Sequence, residues 1–358
     1  MMRPFMLSAA MVLGTMSGVA QAEPVTNGNT VGGWVVAEST HSEQGMPGSL
    51  GQGTISIQAL AAGSGGMVYA GSFGMGIFRS ADRGGVWESV NQGLTDPFIL
   101  CLTTAKDGTI YAGTFRGGVF RSRDAGRSWQ PINKGLKRLE IKALMMDAKG
   151  LYAGTADGVY LLSIAQEQWK TVTTGLEEVL VHALAKTGDG TLYAGTSGKG
   201  LHSFKERAPG WTRLRQGLRD HEGLVENFIR VMAVDKEQDL YVGTFDGGVF
   251  RSGDAGKTWS PISRALPNDS IRGLISNERG VYVATGRGIF KTVDKGRQWV
   301  PLNKGLNNLS VQVLIEGEKG GFYAGTSSGV FRSDDDGLTW TAVSQGLEGD
   351  TVAPFRFN

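Results

Sequence analysis

The stretch Thr109-Ile110-Tyr111-Ala112-Gly113-Thr114-Phe115-Arg116-Gly117-Gly118-Val119-Phe120-Arg121-Ser122-Arg123-Asp124-Ala125-Gly126-Arg127-Ser128-Trp129 decides the fold. Two short runs rich in β-branched and aromatic residues, 109–113 and 119–122, flank a glycine-bearing turn, which is the pattern of a tight hairpin. A second turn follows, and a further strand runs from Trp129 towards Asn133. Upstream, residues 99–102 read as a strand that leads into the turn Lys106-Asp107-Gly108. The unit is therefore four strands, A to D, punctuated by glycine.

The unit repeats. Its tyrosine recurs at Tyr69, Tyr111, Tyr152, Tyr193, Tyr241, Tyr282 and Tyr323, in steps of 42, 41, 41, 48, 41 and 41 residues. A tryptophan keeps step at Trp87, Trp129, Trp169, Trp211, Trp259, Trp299 and Trp340. It follows the strand C residue Phe78, Phe120, Tyr160, His202, Phe250, Phe290 or Phe331 by a constant nine positions, which implies a hairpin of constant geometry. A Gly-Leu pair closes each copy at Leu94, Leu136, Leu176, Leu218, Leu306 and Leu347, with Ala265-Leu266 as the variant. A period of about 40–45 residues with four strands per copy is the signature of a propeller blade. The chain is expected to be all-β, a seven-bladed β-propeller of four-stranded antiparallel blades. The blades fall at about 55–94, 95–136, 137–176, 177–218, 219–266, 267–306 and 307–347.

The bulk numbers agree. There are 55 glycines in 358 residues, about double the ordinary usage of ~7%. They show no three-residue period, which excludes collagen, and their number argues against a helical bundle, since each would cost about 1 kcal/mol inside a helix. Against 36 Lys and Arg stand 34 Asp and Glu, so the net charge of +2 gives no reason to expect nucleic acid. The single Cys101 forms no intrachain disulfide, and four histidines without ligand spacing leave no metal or cofactor expected.

At the N-terminus, Arg3, an apolar run from Phe5 to Val19 and Ala20-Gln21-Ala22 read as a bacterial secretory signal peptide over 1–22. The expected location is the periplasm or outside the cell, with no integral membrane segment after signal removal. Residues 23–54 are a lead-in and 348–358 a closing segment. Trp34-Val35-Val36 and Val352-Ala353-Pro354-Phe355 resemble stray strands, either a clasp across the first and last blades or separate caps.

Between strand C and the tryptophan lies Ser/Thr-x-Asp-x-Gly-x-x-Trp, complete in five copies with Asp82, Asp124, Asp254, Asp294 and Asp335. Its chemistry is that of a turn, with the carboxylate accepting backbone N–H groups and glycine taking a positive φ. In these residues the chain resembles the Asp-box (BNR) repeat family. Blades 3 and 4 depart from it, with Leu162, Ile164 and Gln166, and Phe204, Glu206 and Ala208, at the box positions.

Three features converge on the face that carries the D–A and B–C loops. The second residue of strand A is Gln58, Leu100, Lys142, His182, Arg230, Arg272 and Gln312 in turn, polar in six copies and cationic in three. Two cations ~8 Å apart repel by about 2 kcal/mol at an effective dielectric of 20, so such a ring invites an anion. A loop aromatic recurs as Phe73, Phe115 and Phe245, with Arg116, Asp246 and Arg287 beside or equivalent to it. It reads either as an interface anchor or as packing on the next blade. The long step places an insertion with His221 between Leu218 and Ile229, either a functional loop or a tolerated one.

Among Asp-box propellers the chain is similar in style to the photosystem II stability/assembly factor family and to sortilin- and sialidase-type repeats. The first resemblance implies a non-catalytic platform that holds a protein or acidic peptide, with the family's arginine patch carried loosely onto Arg230, Arg272 and Lys142. Sialidases imply the alternative, a glycan-binding or glycoside-hydrolysing propeller acting on an anionic glycan. Residues 23–71 contain no arginine, however, and that family has six blades. Loop carboxylates at Asp96, Glu140, Glu177, Glu178, Asp220, Glu222 and Glu226 lack diagnostic context, so no catalytic set is assigned.

Overall fold

In a computed structural model, residues 55–163, 166–172, 174–214, 216, 218, 228–267 and 270–347 are described. They form seven four-stranded antiparallel sheets, each built from four strands consecutive in sequence. In blade 2 these are Ile99–Thr104, Ile110–Thr114, Val119–Ser122 and Gln130–Pro131. The first strand of each sheet packs on the first strand of the next, and that of blade 7 packs on that of blade 1. This is a seven-bladed propeller, and its only helices among the described residues are the short 3-10 turns Ser64–Gly66 and Glu318–Gly320. Among the described residues, no helix is long and apolar enough to cross a membrane.

In six blades the outer strand starts after the tryptophan, one residue later than its sequence suggested, and in five of them it is only two residues long. Blades 3 and 4, which lack the Asp box, have longer outer strands at Gln168–Thr171 and Thr212–Leu214.

The core lies between blades. Seven apolar clusters each mix residues of two adjacent blades, so the tryptophan is a tie across a junction. Trp129 Nε1–H donates to the Val90 carbonyl of the preceding blade at 2.7 Å. Five other indoles do the same, while Trp259 turns to Gly256 of its own blade. The closing Gly-Leu pair belongs to this joint. Gly135 has φ +99°, and a Cβ there would strike the backbone of Trp169 in the next blade.

Ring closure uses the same joint. Trp87 donates its Nε1–H to the Val343 carbonyl at 2.6 Å and its backbone N–H to the Gln345 carbonyl at 2.9 Å. Arg83 pairs with Asp334 at 2.5 Å, and Glu318 accepts the Gly65 and Gly66 amides. Blade 1 supplies all four of its own strands, and the two stray-strand segments lie outside the described residues.

The Asp boxes are turns on the face opposite the D–A loops. Ser122 Oγ donates to Asp124 at 2.7 Å and accepts the Gly126 amide at 2.8 Å, while Asp124 accepts the Ser128 amide at 2.9 Å. The same set recurs at Asp82, Asp254, Asp294 and Asp335. Glycine is not alone at positive φ: Arg83, Ala125, Ala255, Lys295 and Asp336 precede it in the left-handed region. Hydrogen bonds, first from the Ser128 hydroxyl, hold the Asp124 carboxyl down at about 2.

Candidate functional site

The pairing register of every inner strand slips at one place. It shifts between Ile57 and Ala59, Ile99 and Cys101, Ile141 and Ala143, and Val181 and Ala183. It shifts again between Ile229 and Val231, Ile271 and Gly273, and Val311 and Val313. The unpaired residue is in each case the second of strand A. A bulge takes a residue out of the ladder and re-aims its side chain. Gln58, Leu100, Lys142, His182, Arg230, Arg272 and Gln312 are therefore seven equivalent bulge residues. Each is half-buried behind an apolar residue that is buried to 0–1% exposure.

The loops around them are pinned. Thr114 Oγ1 donates to the Gly118 carbonyl across the B–C loop, and Ser72, Thr155, Thr196, Thr244, Thr285 and Thr326 repeat the bond. This is the duty of the threonine in Tyr-Ala-Gly-Thr, and the sequence reading missed it. Asp96 is a second pin. Left without a role by its sequence context, it is 6% exposed and accepts the amides of Phe98, Arg116 and Gly117 at 3.1, 2.6 and 2.8 Å.

The cationic residues are not equivalent. Lys142 Nζ pairs with Glu140 at 2.8 Å and stands 5.7 Å from the Phe115 ring centroid, so its charge is met. Burial first, then Lys142 and Arg230, push His182 down to about 4, which leaves it neutral at pH 7. Burial and then Arg272 lower Arg230 to about 10, and burial lowers Arg272. Arg272 Nη1–H donates to Ser310 Oγ at 3.0 Å, while its buried Nε has no partner among the described residues. No described carboxylate lies within 4.0 Å of either Arg230 or Arg272. Among the described residues, Lys142 is thus paired with a carboxylate while Arg230 and Arg272, on adjacent blades, are not.

The aromatic feature resolves into two sets. Phe73 meets Phe98 edge-on at 4.8 Å and Phe115 at 6.2 Å, yet remains 47% exposed. Arg116 lies 5.2 Å over the Phe115 ring. Beside it a groove of about 640 Å³ is lined by Phe115, Arg116, Arg138, Leu139, Glu140 and Asp157, among others. The second set is half-buried Phe245, whose amide donates to the carbonyl of exposed Phe228, just as Phe115 donates to Phe98. Phe98 and Phe228 escaped the sequence reading because they sit in D–A loops, outside the aligned strands. Asp246 and Arg287 are exposed, the latter reaching the Pro267 carbonyl at 3.4 Å. His221, Asp220, Glu222 and Glu226 lie outside the described residues.

At the other end of blade 5, the carboxylates of Asp235, Glu237 and Asp239 approach one another. Lys295 and Arg251 pair with this group, which makes it an ion-pair network.

With these turns and this ring in view, the family model of the BNR-Asp box repeat matches residues 77–90. The chain thus carries a BNR-Asp box repeat within a seven-bladed propeller. No curated protein matches its sequence. Among solved structures, the propeller is similar to the GH74 enzyme of Niastella koreensis, with a TM-score of 0.65 and 13% identity over 82% of this chain and 55% of that one. It is similar to the extracellular domain of BT3049 of B. thetaiotaomicron, described as a hybrid two-component system, with a TM-score of 0.63 and 17% identity over 79% and 40%. It is also similar to YCF48 bound to D1 peptide, with a TM-score of 0.62 and 14% identity over 78% and 93%. This chain thus spans about two fifths of the length of the BT3049 domain but nearly all of YCF48. At such identities the likeness is one of fold.

Proposed function

We propose that this propeller is an exported, non-catalytic binding protein that holds a protein or acidic peptide on its D–A and B–C loop face, as an interaction or assembly scaffold. One observation carries the reading: Arg230 and Arg272 stand on bulges at the channel mouth, in pinned surroundings, with no described carboxylate in ion-pairing range. A partly buried arginine without a counter-ion favours an incoming carboxylate, which it can grip with two parallel N–H donors. Support also comes from the YCF48 likeness, since that protein is seen with a peptide and matches this chain over almost its whole length. Export rests on the leader-like residues 1–22.

The hydrolase alternative draws on the GH74 likeness. Of its candidate carboxylates, Asp96 clamps a loop, Glu140 is paired with Lys142, and Glu177 accepts the Gly175 amide at 2.9 Å. None of these three is poised as one of two carboxyl groups flanking a scissile bond.

A screen of acidic peptides and carboxylated glycans tests the proposal. The Arg230→Ala/Arg272→Ala variant is expected to weaken peptide binding at least tenfold, the loss of about 1.4 kcal/mol or more. Unchanged binding in that variant would sink the idea. So would turnover of a glycoside that a single loop-carboxylate substitution abolishes.

A further inference from the structure

The mouth has two unlike sides. Around the ring of inner strands, blade 5 lies three steps from blade 2 in one direction, and blade 6 lies three steps from it in the other. The junction that carries Arg230 and Arg272 is therefore diametrically across from blade 2. Blade 2 holds the one apolar bulge residue, Leu100. Above it sits the aromatic ledge of Phe73, Phe98 and Phe115, where Phe73 keeps nearly half of its surface open to solvent. The second aromatic pair, Phe228 and Phe245, belongs to the blade 4–5 junction. Blades 6 and 7 carry no aromatic in their B–C loops, which read Gly286-Arg287 and Ser327-Ser328.

The geometry points to a ligand that crosses the mouth in one orientation: a protein segment with an apolar side chain on the blade 1–2 ledge and carboxylates on the Arg230–Arg272 side. The inference deepens the proposed function and rests on it. Its physical content is complementarity at two separated places. Neither side suffices alone. An aromatic ledge gains by covering apolar area, about 25 cal/mol per Å², and gains nothing from a purely acidic peptide. The arginines gain from carboxylates and nothing from an aliphatic side chain. Phe rings without the hydrogen-bonding edge of Trp or Tyr suit an aliphatic or aromatic anchor better than a sugar.

Coupling measurements on the full chain test it. The probes are fluorescein-labelled peptides with Leu-Leu at one end and Glu-Glu at the other, joined by Gly-Ser spacers of graded length. Partner peptides carry Ala-Ala or Gln-Gln at the respective ends. On the unaltered protein, either replacement is expected to weaken the best-fitting peptide about tenfold, a hot-spot-sized effect. In Phe73→Ala the Leu-to-Ala change loses its effect while the Glu-to-Gln change keeps it. In Arg230→Gln/Arg272→Gln the pattern reverses, and circular dichroism checks that both variants are folded. If the Glu end couples to the arginines and the Leu end matters nowhere, or couples to the arginines too, the crossing orientation is wrong while the proposed function stands. If no peptide of the series binds the unaltered protein, the proposed function itself fails.

Discussion

His182 shows what a bulge does to a single residue. Its neighbours in strand, Val181 and Ala183, are buried core, and in regular register the residue between them would point to the opposite face of the sheet. The bulge instead turns it to the mouth, between Lys142 on one side and Arg230 on the other. Burial and those two cations hold its pKa at about 4, against an ordinary 6.5. The sign of the linkage follows. Above pH 6.5 the ring is neutral folded or unfolded and contributes nothing. Between 6.5 and 4 the unfolded chain holds a proton that the folded chain refuses, so stability falls as pH falls, by at most about 3 kcal/mol. Below 4 the loss stops growing. The difference in unfolding free energy between the native chain and His182→Gln, followed by urea titration from pH 7 to 4, should therefore shrink or reverse as acid is added. A pH-independent difference would mean that the ring is not held neutral. The polarity of this position was legible in the sequence because seven aligned copies show one polar column in an apolar strand. The bulge was not legible, because register is a property of two strands and the sequence presents one at a time.

At the scale of the element, the repeat is a joint as much as a blade. The sequence showed Gly-Leu and Trp as separate marks of one period, about 35 residues apart. The structure brings the glycine of one copy against the tryptophan backbone of the next, which explains why both recur. Where the glycine is replaced, by Ala265, the following Trp299 is the indole left half-exposed among the described residues. Two substitutions separate the conformational part of this requirement from the steric part. Gly108 has φ +84° with open space where a Cβ would go, so Gly108→Ala should cost only the left-handed penalty of about 1 kcal/mol. Gly135 has φ +99° and a neighbouring backbone in the way, so Gly135→Ala adds overpacking, typically another 1–3 kcal/mol. Chemical denaturation of the two variants side by side reads the difference, and equal losses would show that the joint yields. Strand existence was clear from the turn residues and the alternation of apolar side chains. Phe98, the partner that completes the ledge, was hidden because loops carry no period against which a residue can be aligned.

For the whole molecule, closure decides how stability is shared. Many rings need a strand from one end of the chain to complete a blade at the other, and the sequence left such a clasp open. Here each sheet is complete in sequence order, and the blade 7–1 junction has the same Trp bond, the same apolar cluster and the same closing Gly346 as the others. It adds the Arg83–Asp334 pair and the Glu318 grip on two amides. Exposed ion pairs of this kind contribute about 0–1 kcal/mol, so the apolar joint carries the closure. A ring closed in this way has no weak seam. Trp87→Ala, at the junction of first and last blades, should then cost about as much as Trp129→Ala between blades 1 and 2, each roughly 3–5 kcal/mol for a buried indole. Both variants should unfold in a single transition with an unchanged denaturant slope, since every junction belongs to one cooperative unit. A much cheaper loss at Trp87, or a separate early transition in that variant alone, would show that the two ends of the ring are held by something other than this joint. The rigidity matters for binding as well: a mouth whose two unlike sides lie across the diameter keeps their spacing only while all seven junctions hold.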